Sequence, residues 1–258
     1  MQPKISLKGF KNYCLEDCQD IAYQKEEYLL EHINRLYDTF CICQSLLEVS
    51  RENKILSIGA GSAFVEAQLN KLLNAQISVI DFPEIIKLNE KHYNKYGFET
   101  YPLDLSNKPK LDASKTFGII LNCEVIEHLS ISPRDSINMF VENLITDGYY
   151  LISTPNLARF TSCIKLLKGL PLLPDADLTF SPSCFQNEGI HRREYVESEI
   201  IDALKKTYLN HVKTKYTFCN RALNLKMLTL SAIGVLIPRF RPMMIIVGQK
   251  RGNKSQDR

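Results

Sequence analysis

Between residues 53 and 155, short continuous apolar runs alternate with stretches whose apolar positions return every three or four residues. Ile55, Leu56 and Ile58 form the first run, which stops at Gly59-Ala60-Gly61, the mark of a buried strand breaking into a turn. Val65, Leu69, Leu72 and Leu73 follow at helical spacing. The alternation repeats with a strand over 77–80 closing at Asp81, a helix from Pro83 to Tyr96, and a strand over 99–103 closing at Asp104. The run 117–121 is apolar on both faces, as at the centre of a parallel sheet. Ser132-Pro133 opens a further helix, with Ile137, Phe140, Val141, Leu144 and Ile145 on its buried side, and Gly148 separates it from a fifth strand over 149–153. This order predicts an α/β fold built on an open, doubly wound sheet with helices on both faces.

The flanks are read the same way. Leu29, Ile33, Leu36, Tyr37, Phe40 and Leu47 share one helical face, which predicts a helix over 26–47 within an N-terminal helical cap, 1–50. The main domain is expected over 51–250. After Asn156 a helix containing Phe160, Ile164 and Leu167 runs to Gly169. The stretch 170–192 lacks periodicity and holds Pro171, Pro174 and Pro182; it follows a strand whose carboxyl end faces a ligand, and is read as a lid. A helix over 196–208, a strand over 211–218, a helix over 223–236 and a last strand over 243–247 complete the domain, leaving 251–258 as a disordered basic tail.

Composition narrows the function. The 258 residues suit one well-buried domain, and a formal charge of +3 is too mild to imply a nucleic-acid partner. None of the eight cysteines has zinc-knuckle spacing, and reduced thiols in a cytoplasmic protein account for them. The first ten residues have no long apolar core, so no signal peptide is expected, and no run reaches the ~18 apolar residues of a bilayer span. The 223–236 helix beside Arg239 and Arg241 offers a membrane contact, but packing into the core is the preferred reading.

The chemistry concentrates at the strand ends. Glycines just past a buried strand let backbone approach a ligand, and the next helix presents free amides there. Phe64 stands where a dinucleotide fingerprint needs a small residue, whereas Ala63 gives Gly-x-Gly-x-Ala. Asp81 lies twenty residues after Gly61, where a carboxylate can accept from two ribose hydroxyls. Asp81 and Asp104 can equally cap the turns after their strands. The fourth strand runs into Asn122-Cys123-Glu124-Val125-Ile126-Glu127-His128-Leu129, the fifth into Ser153-Thr154-Pro155-Asn156, and Gly189-Ile190-His191-Arg192-Arg193-Glu194-Tyr195 follows.

In order and spacing this set resembles class I S-adenosylmethionine-dependent methyltransferases, in particular the O-methyltransferases of ubiquinone, polysaccharide and natural-product pathways. The resemblance implies a Rossmann-like, mostly parallel seven-stranded sheet with an antiparallel last strand. It implies S-adenosyl-L-methionine as cofactor, held by Gly59, Ala60, Gly61, Asp81, Phe82, Asp104, Leu105, Asn122 and Glu124. The acceptor is expected to be a small molecule, glycan or natural-product intermediate, methylated on oxygen. His128 or His191 is the expected base, since a pKa near ~6.5 suits proton removal at neutral pH, with Arg193 and Tyr195 binding the acceptor. Two positions depart from the family pattern: Ser57 stands where an acid orients the glycine loop or the methionine amino group, and Ala63 where a third glycine falls.

Two alternatives follow from the same residues. Glu124, Glu127 and His128 with a later histidine resemble the metal-binding set of small-RNA 3′-terminal 2′-O-methyltransferases, although no metal is expected here. Ser57 and Ala63 also suit a non-catalytic protein that keeps the fold. Glu124, Glu127 and His128 have a plainer reading too, as a helix N-terminal turn in which the dipole favours acids.

Overall fold

The computed structural model describes residues 3–23, 25–173, 191–219 and 233–252. Seven strands form one sheet in the order β3-β2-β1-β4-β5-β7-β6. They are β1 (Lys54–Ile58), β2 (Gln76–Asp81), β3 (Glu99–Pro102), β4 (Phe117–Cys123), β5 (Leu144–Pro155), β6 (Leu209–Thr217) and β7 (Met243–Lys250). Neighbours from β3 to β5 are parallel, and β7 runs antiparallel to both β5 and β6. The expected architecture, including the antiparallel last strand, is what the chain adopts. The order reverses beside β1, and in such sheets the crevice past the carboxyl ends at that switch receives the ligand.

Alternating side chains of the central strands feed two cores. Ile55, Ile119 and Leu121 face helices α1 (Leu7–Asp17), α2 (Glu26–Leu47) and α3 (Phe64–Leu73), where Phe10 packs on Phe40 with ring centroids 5.4 Å apart. Leu56, Ile58 and Ile120 face the opposite layer, with Ile137 of α6 (Pro133–Asn138) and Ile200 and Leu204 of α8 (Glu197–Lys206). The remaining helices are α4 (Pro83–Leu88), α5 (Glu90–Lys95) and α7 (Phe160–Leu167).

Three boundaries differ from the sequence expectation. Helix α1 was not foreseen; Ser6 caps it, accepting from the Gly9 amide at 3.2 Å. The single helix expected over 83–96 is two short helices meeting at Asn89, whose side chain accepts from the amides of Ala22 and Tyr23 and donates to the Gly61 carbonyl. The helix expected to carry Leu144 and Ile145 ends after Asn138, a 3₁₀ turn follows over Val141–Asn143, and β5 already begins at Leu144. Asn143 explains the early stop: its buried amide donates to the carbonyls of Asp112 and Lys115 at 2.9 and 2.8 Å, pinning the chain beside the entry to β4. The expected tip of the lid (174–190), most of the 223–236 helix and the tail from 253 lie outside the described residues.

Candidate active site

The glycine loop is built by backbone geometry. Gly59 has φ +62°, and a Cβ there would meet Val125 Cγ2 at 2.6 Å, so no other residue fits without displacing the loop that follows β4. Gly61 (φ 53°) and Ala63 (φ 49°) are also left-handed, and Ala63 begins α3 with no side-chain cap on the first amides. Asp81, at the end of β2, accepts from the Gly61 and Phe82 amides, each at 2.8 Å. Its carboxylate therefore braces the loop. Asp104 accepts from the Ser106 amide at 2.8 Å and Asn107 Nδ2 at 3.0 Å, capping a 3₁₀ turn. Both aspartates cap turns, and both line the cleft.

That cleft, of about 1050 Å³, opens at the carboxyl ends of β1, β2 and β4. It is lined by Gly59, Ala60, Gly61, Asp81, Phe82, Asp104, Leu105 and Glu124 among the expected cofactor residues, and by His128 and His191 on the far side. Three expected residues stand elsewhere. Asn122 is fully buried and donates to Ser136 Oγ and Tyr150 Oη, each at 3.2 Å, because alternation along β4 turns it into the core opposite α3. Arg193 is exposed and pairs with Glu199 on the first turn of α8. Tyr195 is buried in the second core, and its carbonyl accepts from the Leu157 amide at 2.9 Å. Neither Arg193 nor Tyr195 faces the cleft.

The His128 side of the cleft holds a compact polar group. The rings of His128 and His191 meet edge to face with centroids 5.0 Å apart. His191 Nδ1 lies 3.3 Å from Glu194 Oε1, and the other oxygen of Glu194 binds Arg159. Burial alone raises the Glu194 pKa, but His191 and Arg159 outweigh it and hold the carboxylate below its ordinary value. Glu127 is fully buried: its carbonyl accepts from the Arg192 amide at 2.8 Å, tying the 191–193 segment to the loop after β4. Thr154 donates to its Oε2 at 3.1 Å, while Oε1 has no hydrogen-bond partner. Burial, and then the neighbouring Glu124, push the Glu127 pKa well up. Ligand atoms of Glu127, His128 and His191 lie within 4.8 Å of one another, close enough to share a cation. Glu124, the fourth residue of the metal-binding set that the sequence also resembles, turns instead to Ser153 (2.8 Å) and Arg35 (4.0 Å).

Among the cleft residues to which sequence reasoning gave no role are Arg35, Glu66, Arg159 and Glu194. Arg35 projects from α2, is 2% exposed and donates to the Tyr28 hydroxyl at 2.7 Å; among the described residues its Nε has no hydrogen-bond partner, only the 4.0 Å ion pair with Glu124. Burial disfavours its charge, but Tyr28 and Glu124 beside it hold the guanidinium protonated. Glu66 lies on the first turn of α3, and Ser57 donates to its Oε1 at 2.6 Å. Burial raises the Glu66 pKa, with the Ser57 bond opposing. In the sequence Arg35 stands seven residues after Tyr28 on a helix face that also carries Glu31, His32 and Thr39, a polar stripe beside the apolar one.

No family model matches this chain, and a search of curated proteins finds no match. Solved structures do match. A methyltransferase from a complex with a Haloferax volcanii methyltransferase activator is 12% identical with a TM-score of 0.57, the match covering 94% of this chain and 98% of that one. The N-methyltransferase NodS of Bradyrhizobium japonicum, in complex with S-adenosylhomocysteine, is 15% identical at a TM-score of 0.54, covering 93% and 99%. A SAM-dependent methyltransferase from Archaeoglobus fulgidus is 15% identical at 0.53, covering 88% and 100%. At these identities the likeness establishes the fold: the chain has the Rossmann-like class I methyltransferase fold.

Proposed function

We propose that this protein transfers the methyl group of S-adenosylmethionine to an oxygen of a small-molecule, glycan or natural-product acceptor. One observation carries the reading: a single cleft joins the Asp81-braced glycine loop to the His128–His191 pair. The residues present fit the cofactor. Gly59 and Gly61 present backbone without a side chain at the cleft wall, and the buried Arg35 guanidinium stands in the same cleft with its Nε 4.0 Å from Glu124, beyond hydrogen-bond reach. In this reading Arg35 takes the methionine carboxylate, Glu66 takes the ammonium in place of the acid that Ser57 lacks, and Asp81 takes the ribose. Asp104 and Leu105 flank the adenine.

Bound there, S-adenosylmethionine supplies a methyl on a cationic sulfur, which leaves as a neutral thioether without needing a proton. The chain then has two tasks. Holding the acceptor oxygen in line with the methyl supplies much of the acceleration. His191 takes the acceptor proton as the O–C bond forms and the S–C bond breaks, while Glu194, fixed by Arg159, orients the imidazole through Nδ1. Calorimetric titration with S-adenosylmethionine and S-adenosylhomocysteine tests the reading. Saturable binding that Asp81→Ala weakens supports it; binding of neither ligand sinks it and favours a non-catalytic protein that keeps the fold.

The Glu127, His128 and His191 cluster favours a second reading, in which a divalent cation bound there polarises an acceptor hydroxyl, as a 3′-terminal RNA ribose would offer. The unpartnered Glu127 Oε1 fits such a ligand. Loss of turnover in chelator, restored by manganese or magnesium, selects this reading over the metal-free one.

A further inference from the structure

Helix α7 and the chain entering β7 meet at the mouth of the cleft, where Phe160 packs edge to face on Phe240 with centroids 5.8 Å apart. Beyond that contact both segments turn apolar side chains outward. On the first, Leu166, Leu167, Leu170 and Leu173 are exposed, Leu167 by 87%; on the second, Val235, Leu236 and Ile237 are exposed, Leu236 by 80%. Most of the exposed large apolar side chains among the described residues fall on these two segments. Core packing, the reading preferred from sequence for the end of the 223–236 helix, does not hold for Val235 and Leu236.

The charges that these two segments themselves carry have one sign, although Arg159 is paired with the buried Glu194 and Arg239 lies near Glu197. Residues 157–173 contain Arg159, Lys165 and Lys168 and no acid, and residues 233–243 contain Arg239 and Arg241 and no acid. Lys165, Lys168 and Arg239 are exposed. Aliphatic side chains interleaved with solvent-facing cations, without acids, form the surface that inserts shallowly into an anionic lipid interface. A protein partner of equal size would leave those lysines facing apolar surface unless it were itself acidic. No described helix is long and apolar enough to cross a membrane.

We propose that this rim docks the protein on an anionic lipid bilayer, with the cleft mouth toward the membrane. Leu172 and Leu173 line the cleft and continue into the exposed patch, so an acceptor carried on lipid reaches the His128–His191 pair without leaving the interface. That substrate class, unlike the docking itself, rests on the transferase reading.

Flotation of the full chain with phosphatidylglycerol–phosphatidylcholine vesicles, against phosphatidylcholine alone, tests the docking. Each cation near an anionic leaflet contributes about fivefold in partition, so binding should favour the anionic vesicles and weaken in about 0.5 M salt. Leu166→Glu with Leu167→Glu, and separately Leu236→Glu, should each lower partition about tenfold or more with the melting temperature unchanged. Equal flotation of wild type and variants, or none by wild type, overturns the proposal. So does a wild-type dimer that the same variants dissociate without any vesicle binding, which would make a second copy the occupant. Labelled methyl groups should pass from S-adenosylmethionine into the organic-extractable fraction of membranes. Label confined to water-soluble products would overturn the lipid-borne acceptor. Flotation does not depend on methyl transfer, so the surface and the activity fail separately.

Discussion

Ser57 donates a 2.6 Å hydrogen bond to Glu66, so a carboxylate from the first turn of α3 reaches the end of β1, where the family resemblance places an acid that this chain lacks. Arg35 enters the same cleft from α2, ion-paired with Glu124 at 4.0 Å, and in the proposed reading the two groups take an amino acid's two ends.

The first prediction separates the two ends of the cofactor. Arg35→Ala and Glu66→Gln should each weaken S-adenosylhomocysteine about tenfold or more, the scale of a lost charge-assisted hydrogen bond. Methylthioadenosine, which lacks the amino-acid portion, should bind the variants as it binds wild type. A parallel loss of both ligands in calorimetry would point to a damaged fold; no loss of either would remove Arg35 and Glu66 from the site.

Ala63 occupies a left-handed conformation that glycine adopts freely. Ala63→Gly should relieve it by about 1 kcal/mol, less the greater freedom glycine gives the unfolded chain. A small rise in denaturant midpoint, with an unchanged slope, is the expected result. A lower midpoint would mean that the Ala63 methyl contributes more to the core than its backbone costs.

Glu127 titrates at a higher pH in the folded protein than in the unfolded chain. Below the ordinary glutamate pKa both states carry the proton and no penalty arises. As pH rises from there toward the folded value, the unfolded state gains its charge alone and folding weakens. Glu127→Gln should therefore match wild type near pH 4 and melt higher at pH 7 to 8. Melting curves across that range check the sign. If manganese raises the wild-type melting temperature and leaves the Gln variant unmoved, Glu127 is also a metal ligand.

With an acceptor in hand, His191→Ala should reduce kcat about a hundredfold, the scale of general-base catalysis. Glu194→Gln should lower kcat by a smaller factor and shift the acid limb of its pH profile, because Glu194 orients His191 without touching the acceptor. A purely structural Glu194 would lower stability and leave the pH profile in place.

The strands were legible because continuous apolar runs have few other uses in a chain of this kind, and their order carried the sheet. The end of α6 was not, since Leu144 and Ile145 fit a helical face and a strand equally well, and the deciding bonds are those of Asn143 to residues 112 and 115. In the site, glycines and acids at strand ends are local signals. Arg35 and Glu66 enter through contacts with Glu124 and Ser57 that no local pattern encodes. Asn122, Arg193 and Tyr195 were misplaced for one reason: neighbours in extended backbone point to opposite sides. Cys123 and Glu194 face the cleft, while Asn122 and Tyr195 face the core.

The absent side chain of Gly59 leaves Val125 pressed directly against the loop after β1, and Val125 sits one residue after Glu124 and three before His128. Steric contact at that range transmits displacement in both directions. A methyl donor that shifts the first loop by a fraction of an ångström must shift the second, and an acceptor that moves His128 must be felt at Gly59. In the proposed reading the two loops therefore move as one mechanical unit, and donor and acceptor are expected to bind cooperatively.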